Sequence, residues 1–189
     1  MKEEITKESL LQKKVALITL GCDKNRVDAE KMLYFLQEFG FTITQNTIEA
    51  EIVIINTCAF IKASREESLN TIFEIKKSCK KLEKLIITGC LSEKNYNELK
   101  DNLYEADLIL PLKENKFIVK HILKLYSLED KFIPKFCNLN RIVSTPKNYA
   151  YLKIADGCNN FCSYCTIPFI RGRFTSTPMD NLIKEATEL

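Results

Sequence analysis

Three cysteines fall within the nine residues GCNNFCSYC, at Cys158, Cys162 and Cys165. Thiols packed that tightly seldom arise for the sake of a core. The CxxxCxxC spacing offers three thiolates from one loop, enough for three irons of a cubane iron–sulfur cluster, with the fourth iron left to an outside ligand. Zinc is the main rival, but its structural sites are closed by four ligands. No fourth cysteine or histidine lies nearby, since the one histidine, His121, falls in a predicted helix. On spacing alone, zinc and accidental packing both stay open.

Three more cysteines share a different pattern. Cys22 ends KVALITLGC, Cys58 ends EIVIINTC and Cys90 ends KLIITGC, each just beyond a short β-branched apolar run. Each run is followed by a helical stretch: NRVDAEKMLYFLQEFG with its terminal glycine, ASREESLNTIFEIKKSCKK, and SEKNYNELKDNL. FTIT and ADLIL read as further strands and ENKFIVKHILKLY as another helix. Strands alternating with helices predict an α/β fold, an open parallel sheet with helices on both faces. The continuous apolar runs fit strands buried on both sides. The carboxyl ends of such strands share one edge, where ligands bind, so Cys22, Cys58 and Cys90 are expected to converge there.

The remaining residues are less eloquent. Cys79 and Cys137 match neither pattern and read as small buried hydrophobes. The KKSCKKLEK run reads as a solvated helix end. Asp28 and Glu30 either orient the first long helix or simply cap and solvate it. With 46% hydrophobic and 28% charged residues and a net charge of +3, the composition is that of a globular protein. No apolar run approaches the ~20 residues that span a bilayer, and MKEEITKESLLQKK lacks a signal-peptide core. A cytoplasmic location is expected, where eight cysteines point to metal or redox ligands rather than disulfides.

From SLEDKFIPKFCNLNRIVSTPKN the periodicity fails, which predicts a connection. YAYLKIADGC then starts a new strand, and TPMDNLIKEATEL a helix with Thr177 as its cap and Pro178 at its first position. The expected organisation is an amino-terminal domain over 1–126, a linker over 127–148 and the start of a second domain over 149–189. One strand, a loop and one helix are too little for a core of their own.

The wording of the motifs adds a resemblance. YLKIADGCNNFCSYCTIPFIRGRF is similar to the signature of radical S-adenosylmethionine methylthiotransferases, while LGCDKNRVDAEKM, NTCAFIKASREES and TGCLSE resemble the three motifs of that family's amino-terminal domain. The resemblance implies two 4Fe-4S clusters. Cys158, Cys162 and Cys165 would hold the one that chelates S-adenosylmethionine and cleaves it to a deoxyadenosyl radical. Cys22, Cys58 and Cys90 would hold an auxiliary cluster that takes part in sulfur donation. Tyr164, before the last cysteine, would pack beside the adenine of S-adenosylmethionine.

Within the family the wording is closest to the branch that methylthiolates the β-carbon of an aspartate in ribosomal protein uS12. The implied partners are uS12 or the small ribosomal subunit, and a reducing donor such as flavodoxin or ferredoxin, with no membrane. The alternatives are a tRNA adenosine methylthiotransferase of the same family, a non-catalytic iron–sulfur module, and a zinc-binding interaction domain. Two departures from the family pattern stand out. After IRGRF the sequence reads Ser176-Thr177 where the family typically has Ser-Arg. The chain also ends at Leu189, just into what the resemblance implies is a partial TIM-like barrel, so as a truncated portion it is expected to be inactive alone.

Overall fold

In the computed structural model, which describes residues 6–128 and 140–189, a short helix α1 (Lys7–Leu11) leads into strand β1 (Lys14–Thr19). Helix α2 (Asp23–Phe39), β2 (Thr42–Ile43), β3 (Ile52–Thr57), α3 (Lys62–Ser78) and β4 (Lys84–Gly89) follow. The helices α4 (Cys90–Lys94) and α5 (Tyr96–Asn102), strand β5 (Leu108–Ile109) and α6 (Ile118–Leu125) complete this part. The strand pairs of this sheet are parallel, in the order β2-β1-β3-β4-β5. This is the open α/β sheet that the strand–helix alternation predicts.

Burial explains why the apolar runs form strands here. Every residue of β3 is buried. Its Ile52 and Ile54 join Met32, Leu36 and Ile122 beneath α2 and α6. Its Val53 and Ile55 face the other way, with Ile72, Leu91 and Leu99 beneath α3, α4 and α5. Each fully buried isoleucine side chain contributes about 1.5–3 kcal/mol. The chain runs from β1 outward to β2 and then crosses back to β3 on the other side. The reversal falls between β1 and β3, and the crevice outside their carboxyl ends is the place where such sheets bind ligands.

Several elements differ from the expectation. Helix α1 was not predicted, and its Leu10 is fully buried. The helix expected over SEKNYNELKDNL begins already at Cys90 and breaks at Asn95. ENKFIVKHILKLY opens with a tight 3-10 segment, Leu112–Phe117, before α6. FTIT and ADLIL supply only two strand residues each, on the two edges of the sheet.

The largest differences lie beyond residue 140. Strand β6 is confined to Ala155–Asp156, and after helix α7 (Ile167–Arg171) it pairs antiparallel with β7 (Thr175–Ser176). A strand needs a neighbour's ladder, and in YAYLKIADGC only these two residues have one. Helix α8 (Met179–Glu188) starts after Pro178, which sits at the cap itself. Thr177 does not cap it; its hydroxyl donates to the Lys153 carbonyl at 3.2 Å. The segment is tied to the sheet domain by buried charges: Arg141 lies 3.2 Å from Glu30 and 3.3 Å from Glu185. Glu30 also accepts from the Ser144 N–H and hydroxyl. Cys137 and half of the connecting stretch, residues 129–139, lie outside the described residues.

Candidate functional site

Three strand ends turn at one place. β1 runs into Leu20-Gly21-Cys22, β3 into Cys58, and β4 directly into Cys90. Gly21 and Gly89 hold φ of +86° and +99°, a left-handed backbone that side chains disfavour. A Cβ on Gly89 would lie 2.4 Å from the Thr57 carbonyl oxygen. Glycine before Cys22 and before Cys90 thus lets the chain reverse tightly against β3. As a result Cys22, Cys58 and Cys90 line one cavity of about 610 Å³, at the carboxyl edge of the sheet. Cys22 is the N-cap of α2 and Cys90 the first residue of α4, so both thiols stand where a strand end turns into a helix.

Two polar residues that the sequence reading did not single out fix this edge. Asn25 is fully buried; its amide donates to the carbonyls of Leu20 and Thr57, both at 2.9 Å. Its Oδ1 accepts from the Cys90 thiol at 3.4 Å. Ser68, also fully buried, accepts from the Cys58 N–H at 3.0 Å and lies within hydrogen-bond distance of the Cys58 carbonyl. A signal for both existed. Asn25 falls on the stripe with Ala29, Met32 and Leu36, and Ser68 on the one with Ile72 and Ile75. A polar residue on an apolar helical stripe is buried and must find partners.

The wall opposite is built by α7. Ile167, Ile170 and Arg171 line the same cavity, with Phe60 and Ile61 exposed at its rim. Arg171 donates to Asp28 at 2.8 Å, Asp156 at 3.0 Å and the Asn25 Oδ1 at 2.6 Å, and it reaches the Cys90 sulfur at 3.6 Å. Burial works against the Arg171 charge, but Asp28, then Cys90 and Asp156, hold its pKa above the usual value. Burial pushes the Cys90 thiol up, while Arg171 pulls it the other way. Asp28 therefore orients the first long helix, binding both Lys153 and Arg171, and Glu30 anchors the connecting segment.

The other cysteines are placed differently. Cys158, Cys162 and Cys165 sit on the loop between β6 and α7, outside the first cavity. Cys162 is exposed and the other two half-buried. The Cys165 N–H donates to the Cys162 carbonyl at 2.9 Å, and Cys158 to that of Gly172 at 3.1 Å. Tyr164 is 88% exposed. Cys79 is buried in the core, its thiol on the Thr47 carbonyl at 3.1 Å, away from both groups. His121 pairs with Glu114 at 3.0 Å.

Among the described residues, no group of three histidine, cysteine, aspartate or glutamate side chains is drawn together tightly enough to hold a metal ion. A cubane cluster makes a looser demand, because its thiolates bind separate iron corners and stand farther apart than ligands around one ion. The cavity at Cys22, Cys58 and Cys90 suits such a cluster in its donor set. It presents three soft sulfurs and no histidine, within a wall that is largely apolar.

Comparison with known proteins agrees with the motifs. The family model described as Uncharacterized protein family UPF0004 matches residues 14–111, the stretch from the start of β1 to just past β5. The chain is 45% identical over 185 residues to the ribosomal protein uS12 methylthiotransferase RimO of Caldicellulosiruptor saccharolyticus, covering 93% of this chain and 42% of that protein. It is 42% identical over 184 residues to the protein of the same name from Clostridium botulinum, and 40% identical over 193 residues to that of Acetivibrio thermocellus. Those alignments span 93% of this chain and 41% and 42% of the two relatives. The chain thus spans about two-fifths of the length of the curated relatives it matches. No helix among the described residues is long and apolar enough to cross a membrane.

Proposed function

We propose, from the premise that the chain belongs to the Uncharacterized protein family UPF0004, that it carries two 4Fe-4S clusters and serves the S-adenosylmethionine-dependent methylthiolation of an aspartate β-carbon in ribosomal protein uS12. The observation that carries this reading is the meeting of Cys22, Cys58 and Cys90 on one cavity at the ends of three adjacent strands. The substrate rests on the names of the relatives. We also propose the division into residues 1–126, a linker over 127–148 and residues 149–189. The place of action would be the cytoplasm, with a flavodoxin- or ferredoxin-like donor.

In this reading Cys22, Cys58 and Cys90 hold one cluster, and Cys158, Cys162 and Cys165 the other. When bound, the clusters supply one-electron chemistry towards S-adenosylmethionine and a site for the sulfur to be transferred. The residues of the chain do the positioning. Asn25 and Ser68 hold the loops that carry Cys90 and Cys58. Ile167 and Ile170 keep water from one wall of the cavity. The exposed Tyr164 ring offers a flat face beside the second thiol group, suited to an adenine.

The test is anaerobic reconstitution with iron and sulfide. Two separable clusters are expected, one removed by replacing Cys22, Cys58 and Cys90 with Ala and the other by replacing Cys158, Cys162 and Cys165. Loss of both, or of neither, in the first variant would overturn the two-site reading. For the substrate, the gene is deleted in its source organism and uS12 is weighed by mass spectrometry. Disappearance of a methylthio adduct is expected, and a retained adduct would redirect the assignment to tRNA.

A further inference from the structure

Arg171 connects the two groups of cysteines. It ends α7, on the same segment as Cys158, Cys162 and Cys165, yet its guanidinium reaches across to the Cys90 sulfur at 3.6 Å. We infer that Arg171 is a positioning residue that makes the centre at Cys22, Cys58 and Cys90 easier to reduce. The inference rests on the reading of those three thiols as ligands of a cluster.

The geometry is specific. One nitrogen of the guanidinium, Nη1, binds Asp28 and Asp156; the other, Nη2, binds the Asn25 Oδ1 and Cys90. Asn25 is in turn fastened to the carbonyls of Leu20 and Thr57, at the ends of β1 and β3. The cation is therefore held against the sulfur by the same strand ends that carry the thiols. The Arg171 side chain is only 2% exposed, so solvent ions screen it little.

A hydrogen bond and a positive charge at a ligating sulfur favour the cluster state with one more electron, and this raises the reduction potential. The cation belongs to α7, not to the sheet. Lys153 makes a useful contrast. It binds Asp28 and Asp156 in the same contact, but among the described residues it has no bond to a cysteine.

The experiment uses the chain with Cys158, Cys162 and Cys165 replaced by Ala, so that one centre remains, reconstituted and titrated electrochemically with detection by electron paramagnetic resonance. Arg171→Met is expected to shift the midpoint potential downward, Arg171→Lys to recover part of the shift, and Lys153→Met to leave the potential unchanged. An unchanged potential in Arg171→Met, or an equal shift in Lys153→Met, would overturn the inference. If both Arg171 variants fail to retain the cluster, the residue serves folding alone and the inference also fails. Absence of any cluster in the parent protein would instead refute the assignment of Cys22, Cys58 and Cys90 as ligands, and iron analysis reads this before any Arg171 variant is made.

Discussion

A Cβ placed on Gly21 would stand 2.6 Å from both the Cβ and the sulfur of Cys58. The loop after β1 therefore passes against the thiol at the end of β3 with no room for any side chain. Gly21→Ala must displace Cys58 and also strain a backbone at φ +86°. A loss of about 1–3 kcal/mol is expected from the backbone alone. Urea unfolding should report it, and iron uptake at the amino-terminal site should fall with it. Wild-type stability and iron content would contradict the close approach.

Ser68 tests the support of the same thiol from below. Its hydroxyl accepts from the buried Cys58 N–H, and Ser68→Ala leaves that donor without a partner. The expected cost is about 1–3 kcal/mol, the penalty for an unsatisfied buried group. Hydrogen exchange at the Cys58 amide should rise in parallel. Unaltered exchange would mean that the loop finds another acceptor.

How far the sequence foretold this site follows from burial. β1, β3 and β4 were legible because their residues are apolar on both faces, which leaves a mark that few other structures produce. The glycine and cysteine at their ends were legible for the same reason, as interruptions of those runs. Asn25 carried a weaker mark, a polar residue on the apolar stripe of α2, whereas Arg171 looks like an ordinary surface cation until its partners are known. Arg171 draws its partners from α2, β6 and α4, and no local pattern encodes that meeting. The strand expected in YAYLKIADGC shrank to Ala155–Asp156 because propensity alone cannot supply a pairing partner.

Arg141 is buried between two carboxylates, with Glu30 at 3.2 Å and Glu185 at 3.3 Å. Arg141→Met removes the cation and leaves both acids buried. Breaking a buried pair in this way costs about 3–5 kcal/mol. The loss should appear as release of α8, read as increased proteolysis near the carboxyl end before global unfolding. Equal protection in the variant and the parent would show that Lys31, 3.6 Å from Glu185, neutralises the acid unaided.

Asp156 predicts the response of this contact to acid. Burial alone would raise its pKa, but Lys153 and then Arg171 overcome that and hold the carboxyl below the usual range. A carboxylate with a depressed folded pKa contributes stability above its unfolded pKa and loses it as pH falls through the folded value. Asp156→Asn should therefore be less stable than the parent at neutral pH, and the gap should close as the solution is acidified below the ordinary carboxylate range. Urea unfolding over a pH series measures it. A gap that stays constant in acid would assign the effect to packing rather than charge.

Tyr164 separates ligand binding from folding. The ring is 88% exposed, so Tyr164→Ala removes little that the folded chain uses and should change stability by less than about 0.5 kcal/mol. An aromatic ring held in solvent next to Cys165 is, however, well placed to stack on a base. Loss of one such stack costs about 1–3 kcal/mol of binding. With both clusters reconstituted, equilibrium dialysis should show weaker binding of S-adenosylmethionine to the variant at unchanged iron and sulfide content. The pair of readouts makes the test sharp. Unchanged affinity would remove Tyr164 from the cofactor site, whereas a loss of stability or of iron would show that the ring supports the cysteine loop itself.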